Sequence, residues 1–243
     1  MGSTVPMAIS HTLGTDSLVS HAFNRDGTEL ALSVNTSDVY LLSVPESPSG
    51  RFQVIDILRE HSALVTSIDW APQTNRIVSC SADRNAYVWN KQSDNKWKPT
   101  LVLLMVRCID RAAVCVKWSP LEDRFAVGSG SKLLAVCWFD EESDWWIGKK
   151  IKKPIRSTVT CIDWHPNNVL LACGSSDFHA RIFSAFTSSG PSESVWGKHT
   201  PLGAVLFDYS DGEGESSSFI GDVVQIRKTF HLFQNFVIVL FPF

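Results

Sequence analysis

This chain lacks most of what marks an enzyme or a nucleic-acid binder. None of its six cysteines (Cys80, Cys108, Cys115, Cys137, Cys161 and Cys173) forms a C-x-x-C pair. Their spacing fits neither a zinc site nor a small disulfide scaffold. Most sit inside apolar runs and read as reduced, buried thiols, which goes with a cytosolic setting. No G-x-x-x-x-G-K-[ST] or G-x-G-x-x-G motif is present to cradle a phosphate. Gly128-Ser129-Gly130 is a strand end, not the G-x-S-x-G of a nucleophile elbow. Charge of one sign is missing too: 22 Lys and Arg stand against 25 Asp and Glu, a net charge of −3. That balance gives no global basic field for nucleic acid. Met1–Gly14 lacks the charged start and apolar core of a secretory signal. The apolar end, Phe236–Phe243, falls far short of the roughly 20 residues that cross a bilayer, so no membrane span is expected.

What is present is one phrase written four times: an apolar strand, an aromatic residue, then a polar turn. The copies are Leu18–Gly27, Leu64–Pro72, Ala113–Pro120 and Val159–Pro166. Their anchors, Phe23, Trp70, Trp118 and Trp164, are 47, 48 and 46 residues apart. This period predicts an all-β fold, a WD40-type β-propeller with about four blades. Repeat anchors account for most of the nine tryptophans without any ligand. In the second unit the predicted strands are Leu64–Trp70, Ile77–Ser81, Ala86–Trp89 and Trp97–Val102, separated by Pro, Asn and Asp turns. Many of these runs are apolar on both faces, as blades packed between two neighbours require. Residues 1–207 read as the propeller part and 208–243 as a divergent, poorly ordered tail. Val106–Asp110 reads as a lengthened link and Thr187–Gly197 as a loop.

Two sets of residues stand out. His61, Ser79 and Asp83 have the composition of a catalytic triad. In the propeller register, though, His61 leads into the blade, Ser79 lies on its second strand, Asp83 in the next turn and Trp89 on the third strand. Hydrogen bonding within one blade explains the four residues better than nucleophilic chemistry. The fourth unit has Ile155, Cys173, Asp177 and Phe183 at these places, so the set is not rebuilt there. Asp140, Glu141, Glu142 and Asp144 lack the glycine and spacing of a calcium loop and read as a solvated loop. No cofactor or metal is expected, and no recurrent set of acids, histidines or ligands from several blades suggests an enzyme.

The second set is Trp145, Trp146, Lys149, Lys150, Lys152, Lys153 and Arg156. Adjacent tryptophans on a strand point to opposite faces, so one packs inward and the other is exposed or covered by a partner. Five cations then fall within eight residues. The run reads either as a docking site for an acidic partner or as a solvated link between blades.

Several strings go beyond a generic WD repeat. They include Ser81–Trp89, Pro99–Leu104, Arg111–Ala113, Phe125–Gly130, Asp144–Trp146, Lys152–Val159 and Asp163–Ala172. Together, over roughly Val19–Gly203, they resemble the WD-repeat subunit, subunit 1, of the Arp2/3 complex. The resemblance implies a noncatalytic scaffold subunit of a seven-protein assembly in the cytoplasmic actin cytoskeleton. The partners it implies are other Arp2/3 complex subunits, the actin filament and nucleation-promoting activators. By the same analogy, the exposed tryptophan and the Lys149–Arg156 run face complex partners. The family has seven blades, and here the resemblance stops after Asp208-Tyr209-Ser210, without the family's late-blade insertion. The expectation is therefore an incomplete propeller, an open arc from a truncated product that is poorly soluble alone or dependent on partners. Two alternatives stay open: a generic WD-repeat interaction platform in another assembly, and a non-functional truncated product.

Overall fold

The computed structural model describes residues 17–47, 50–102, 109–187 and 200–210. Among them the chain is all β, arranged as four four-stranded antiparallel meanders. Blade 1 contains β1 (Ser20–Phe23), β2 (Glu29–Ser33), β3 (Val39–Ser43) and β4 (Gln53–Leu58). Blade 2 contains β5 (Val65–Trp70), β6 (Arg76–Ser81), β7 (Ala86–Lys91) and β8 (Trp97–Val102). Blade 3 contains β9 (Ala113–Trp118), β10 (Arg124–Ser129), β11 (Leu133–Asp140) and β12 (Trp145–Ile151). Blade 4 contains β13 (Val159–Trp164), β14 (Leu170–Ser175), β15 (His179–Ser184) and β16 (Val205–Ser210).

Turn chemistry repeats with the strands. The turn after each anchor takes one residue into the left-handed region: Gly27, Asn75, Glu122 and Asn168, with φ of 69°, 51°, 57° and 62°. Glycine and asparagine tolerate this region; glutamate seldom visits it. Glu122 is held there by its contacts. Its carboxylate accepts the backbone N–H groups of Gln73 and Thr74, both at 2.7 Å, and so pins the turn of blade 2. Asn168 repeats the device one blade on, accepting Leu121 N–H at 3.1 Å.

Blades stack through their inner strands: β1 on β5, β5 on β9 and β9 on β13. No comparable packing joins blade 4 to blade 1 among the described residues. The architecture is an incomplete propeller. Each blade has a face turned to the preceding blade and a face turned to the following one. Val78, Cys80, Ala86 and Val88 of blade 2 meet Trp118 and Phe125 of blade 3 in one core. Ala126, Leu134 and Val136 of blade 3 meet Trp164 and Phe183 of blade 4 in another.

The four anchors share one register, pairing with Leu30, Ile77, Phe125 and Leu171. Their surroundings differ. Trp70, Trp118 and Trp164 are 4 %, 5 % and 6 % exposed, whereas Phe23 is 48 % exposed. The three tryptophans lie on faces turned to a preceding blade. Phe23 lies on the same face of blade 1, which has no blade before it among the described residues. The environment of Phe23 thus departs from the equivalence that the sequence period predicts, although its backbone place does not.

Two further boundaries differ from the sequence reading. β16 runs to Ser210, so Asp208, Tyr209 and Ser210 belong to the outer strand of blade 4, three residues past the boundary at 207. In the lengthened link, Ile109 is buried in the core between blades 2 and 3. Residues 106–108, the loop residues 188–197 and the tail from 211 onward lie outside the described residues. No helix among the described residues is long and apolar enough to cross a membrane.

Candidate functional site

The polar set of blade 2 forms one directional chain. Trp89 Nε1–H donates to Ser79 Oγ at 2.9 Å, Ser79 O–H to His61 Nε2 at 2.8 Å, and His61 Nδ1–H to Asp83 Oδ2 at 2.9 Å. Asp83 also accepts the backbone N–H groups of Ser62 at 3.0 Å and Asn85 at 2.9 Å. Burial pushes its carboxyl up, but these hydrogen bonds outweigh that and hold it below the ordinary aspartate value. The chain links the loop into the blade, the second and third strands and the turn between them. Ser79 Oγ serves Trp89 and His61 inside a buried strand. These hydrogen bonds join the entering loop, the two strands and the turn of one blade.

Blades 3 and 4 do the same work with other residues. Ser131 stands where blade 2 has Asp83, and its Oγ accepts Asp110 N–H at 3.0 Å and Arg111 N–H at 2.8 Å. In blade 4 Asp177 accepts Arg156 N–H at 2.9 Å and is paired with the buried Arg181, Nη1 to Oδ2 3.0 Å. Burial raises the Asp177 carboxyl; hydrogen bonds from Ser175 Oγ, Arg181 and Arg156 N–H prevail and bring it to about 2. The sequence reading found no equivalent of the blade 2 set in the fourth unit, and missed this ion pair. Its signal was there: an arginine inside the apolar strand His179–Ser184, four residues after an aspartate.

The tryptophan–lysine run maps to the outer edge of blade 3. Alternation along β12 puts Trp146 inside, 4 % exposed, and Trp145 outside, 40 % exposed. Trp146 packs edge-on against Trp118 at 5.7 Å between ring centroids and tilts against Phe125 at 5.2 Å. Ile147 and Lys149, on the same face of β12 as Trp145, are exposed as well. Beyond the strand, Lys152, Lys153 and Arg156 are exposed on a loop fixed at two points. Ile155 is buried in the core of blades 3 and 4, and Arg156 N–H is held by Asp177. Lys150 lies on the opposite face of the strand from Trp145 and is likewise exposed. The structure therefore gathers an aromatic, an aliphatic and several cationic side chains along one blade edge. Ile147 falls inside the same run, and its place two residues after Trp145 puts it on the same face of the strand.

A cavity of about 550 Å³ opens at the turn end of the inner strands, lined in part by Phe23, Asp69, Trp70, Lys117, Trp118 and Trp164. Its acid–base pair is committed to the junction of blades 2 and 3. Asp69 Oδ1 lies 2.8 Å from Lys117 Nζ, and Asp69 Oδ2 accepts Trp118 N–H at 2.7 Å. Burial raises the Asp69 carboxyl, against the pull of Lys117 and Trp118 N–H.

A family model described as WD domain, G-beta repeat matches residues 52–90 and 149–184. Each match begins on the outer strand of one blade and ends on the third strand of the next, so the sequence repeat bridges two blades. Actin-related protein 2/3 complex subunit 1A-B of Xenopus laevis is 48 % identical over 202 residues, covering 82 % of this chain and 53 % of the relative. Actin-related protein 2/3 complex subunit 1 of Schizosaccharomyces pombe is 46 % identical over 195 residues, 79 % of this chain and 50 % of that protein. The Saccharomyces cerevisiae subunit 1 is 40 % identical over 211 residues, 85 % and 52 % respectively. The chain spans about half the length of these relatives. The chain carries WD40 repeats and is similar over most of its own length to proteins named as subunit 1 of the Arp2/3 complex.

Proposed function

We propose that this chain is a noncatalytic scaffold subunit of an Arp2/3-type assembly in the cytoplasmic actin cytoskeleton. In this reading it supports filament nucleation and branching through protein–protein contacts with other complex subunits, the actin filament and nucleation-promoting activators. The observation that carries the reading is the 40–48 % identity, over most of the chain, to proteins named as subunit 1 of that complex. The edge of blade 3 supports it physically. Trp145 and Ile147 stay exposed without any need of the core, beside Lys149, Lys152, Lys153 and Arg156. An exposed aromatic supplies a desolvated anchor, and surrounding cations steer an acidic partner and exclude basic ones. His61, Ser79, Asp83 and Trp89 then have a structural role: they hold blade 2 together.

The test is affinity purification of the tagged 243-residue chain from cells, with identification of what comes with it. Actin-related proteins at near-equal amounts support the proposal. A stable complex of other composition, or a chain recovered alone, overturns it.

A further inference from the structure

The strands of each blade run between two ends, and these carry opposite charge. At one, the link end, lie the turns between second and third strands and the links from blade to blade. Hydrogen bonds stitch each link to its turn. Ser62 N–H is accepted by Asp83 in blade 2, Asp110 and Arg111 N–H by Ser131 in blade 3, and Arg156 N–H by Asp177 in blade 4. Successive links also converge. Gly130 of blade 3 sits so close between two of them that a Cβ there would lie 3.6 Å from Arg111 Cβ and 4.0 Å from Thr158 Oγ1.

The link end of blades 2–4 presents Arg84, Arg111, Lys132, Lys152, Lys153 and Arg156, all exposed. Arg84 and Lys132 stand on equivalent turn tips, with φ of 71° and 62°. That conformation favours glycine or asparagine, so a long cation there points to something met outside the fold. Most carboxylates at this end are engaged. Asp38 pairs with Arg59 at 3.3 Å, Asp83 with His61, and Asp177 with the buried Arg181. Glu60 and Asp110 are exposed here as well. Hydrogen bonds from Ser131 and its own backbone, then the charges of Arg111 and Lys152, hold the Asp110 carboxyl below its ordinary value. The opposite end presents Asp26, Glu46, Asp94, Glu141, Glu142 and Asp144, all exposed, with Arg25, Arg51 and Lys96 among them.

We propose that the link end of blades 2–4 rests on an anionic lipid bilayer, its six cations at the headgroups and the acidic end turned away. The cations stand on separate tips and links of three blades, at one end of their sheets. That spread suits an extended sheet of negative charge better than a single acidic segment. Charge sorting is the second argument. A chain of net charge −3 is repelled by such a surface as a whole. Sorted end to end, its charges attract one end and repel the other, which also fixes its orientation. Arg84, Arg111 and Lys132 lie outside the Trp145 edge, so the proposal stands apart from the reading of that edge as a protein contact.

The test is flotation of the full 243-residue chain with vesicles of phosphatidylcholine and phosphatidylserine in equal parts, and with vesicles of phosphatidylcholine alone. Flotation leaves aggregated protein behind. The wild type is expected to float with the mixed vesicles only, and to be released by salt. Arg84→Asn/Arg111→Gln/Lys132→Asn is expected to weaken binding by at least about tenfold. Lys152→Gln/Lys153→Gln is expected to weaken it too, whereas its charge-matched counterpart at the acidic end, Arg25→Gln/Lys96→Gln, leaves it unchanged. All substituted positions are exposed, asparagine suits the left-handed tips, and circular dichroism verifies folding. Three results overturn the proposal: no flotation of the wild type, equal flotation with phosphatidylcholine alone, or equal loss in the Arg25 and Lys96 variant. Retention on poly-glutamate without flotation also overturns it, and gives this face to an acidic protein instead. None of these depends on whether the chain co-purifies with actin-related proteins.

Discussion

The outer strands of blades 2 and 3 occupy the same place in the fold and treat their tryptophans differently. In blade 2, Trp97 packs edge-on against the anchor Trp70 at 5.7 Å, beneath Lys91. In blade 3, Trp146 makes the same contact with the anchor Trp118, at the same 5.7 Å. The inward role is therefore filled once in each blade, and Trp145 is surplus to it. Where blade 3 turns Trp145, Ile147 and Lys149 outward, blade 2 has Lys96, Lys98 and Thr100 at the matching positions. A folded blade needs only a solvated outer face there, as blade 2 has. The apolar pair on blade 3 thus owes nothing to the core, which supports the proposal that this edge is a contact surface.

The largest effect that sharpens this contrast is on Trp146. Trp146→Ala removes a buried ring from the Trp118–Phe125 cluster and is expected to cost about 3–5 kcal/mol of folding stability, measured by urea unfolding. Trp97→Ala, at a half-buried site, is expected to cost less, about 2–3 kcal/mol. Equal losses would break the comparison.

The fasteners of the two blades come next. Ser79→Ala leaves the Trp89 indole N–H and the His61 ring in blade 2 without their buried partner, an expected loss of about 1–3 kcal/mol. Asp83 makes this blade sensitive to acid. Its folded value lies below the ordinary 3.8, so its contribution is complete above that value and is lost as pH falls through the folded one. Asp177 in blade 4 behaves alike, down to about 2. Blade 3 has Ser131, which does not titrate, at this place. Unfolding from pH 5 to pH 2 is expected to flatten in Asp83→Asn relative to the wild type; an unchanged slope would remove Asp83 from the account.

Smallest of all is the expected stability change at the exposed edge. Trp145→Ser is expected to shift folding stability by no more than about 0.5 kcal/mol, as surface changes usually do. A loss above about 2 kcal/mol would place Trp145 in the core.

Much of this was legible in the sequence because anchor spacing, turn residues and apolar runs all agree. The strands of blade 2 are those the pattern predicts, within a residue or two at their ends. The exposed environment of Phe23 was not legible, because a period counts repeats but does not say which neighbour covers each face. The outer strand of blade 4 was obscured by a long loop and by the apparent break at Asp208. Arg181 was missed because local polarity counts against a core position, while its partner Asp177 removes that cost only in three dimensions. The Trp145 and Trp146 pair was half legible: alternation demands that one ring face out, and only the contact with Trp118 says which.

The most direct test compares the two outer edges in the assembled state. Tagged full-length chains carrying Trp145→Ser/Ile147→Ser, or the matched blade 2 control Lys96→Ser/Lys98→Ser, are purified from cells and the co-purifying actin-related proteins quantified against the wild type. The account predicts a loss of at least about tenfold for the blade 3 variant, roughly 1.4 kcal/mol of contact energy, and none for the control. Undiminished recovery with the blade 3 variant, at unchanged folding stability, would contradict it.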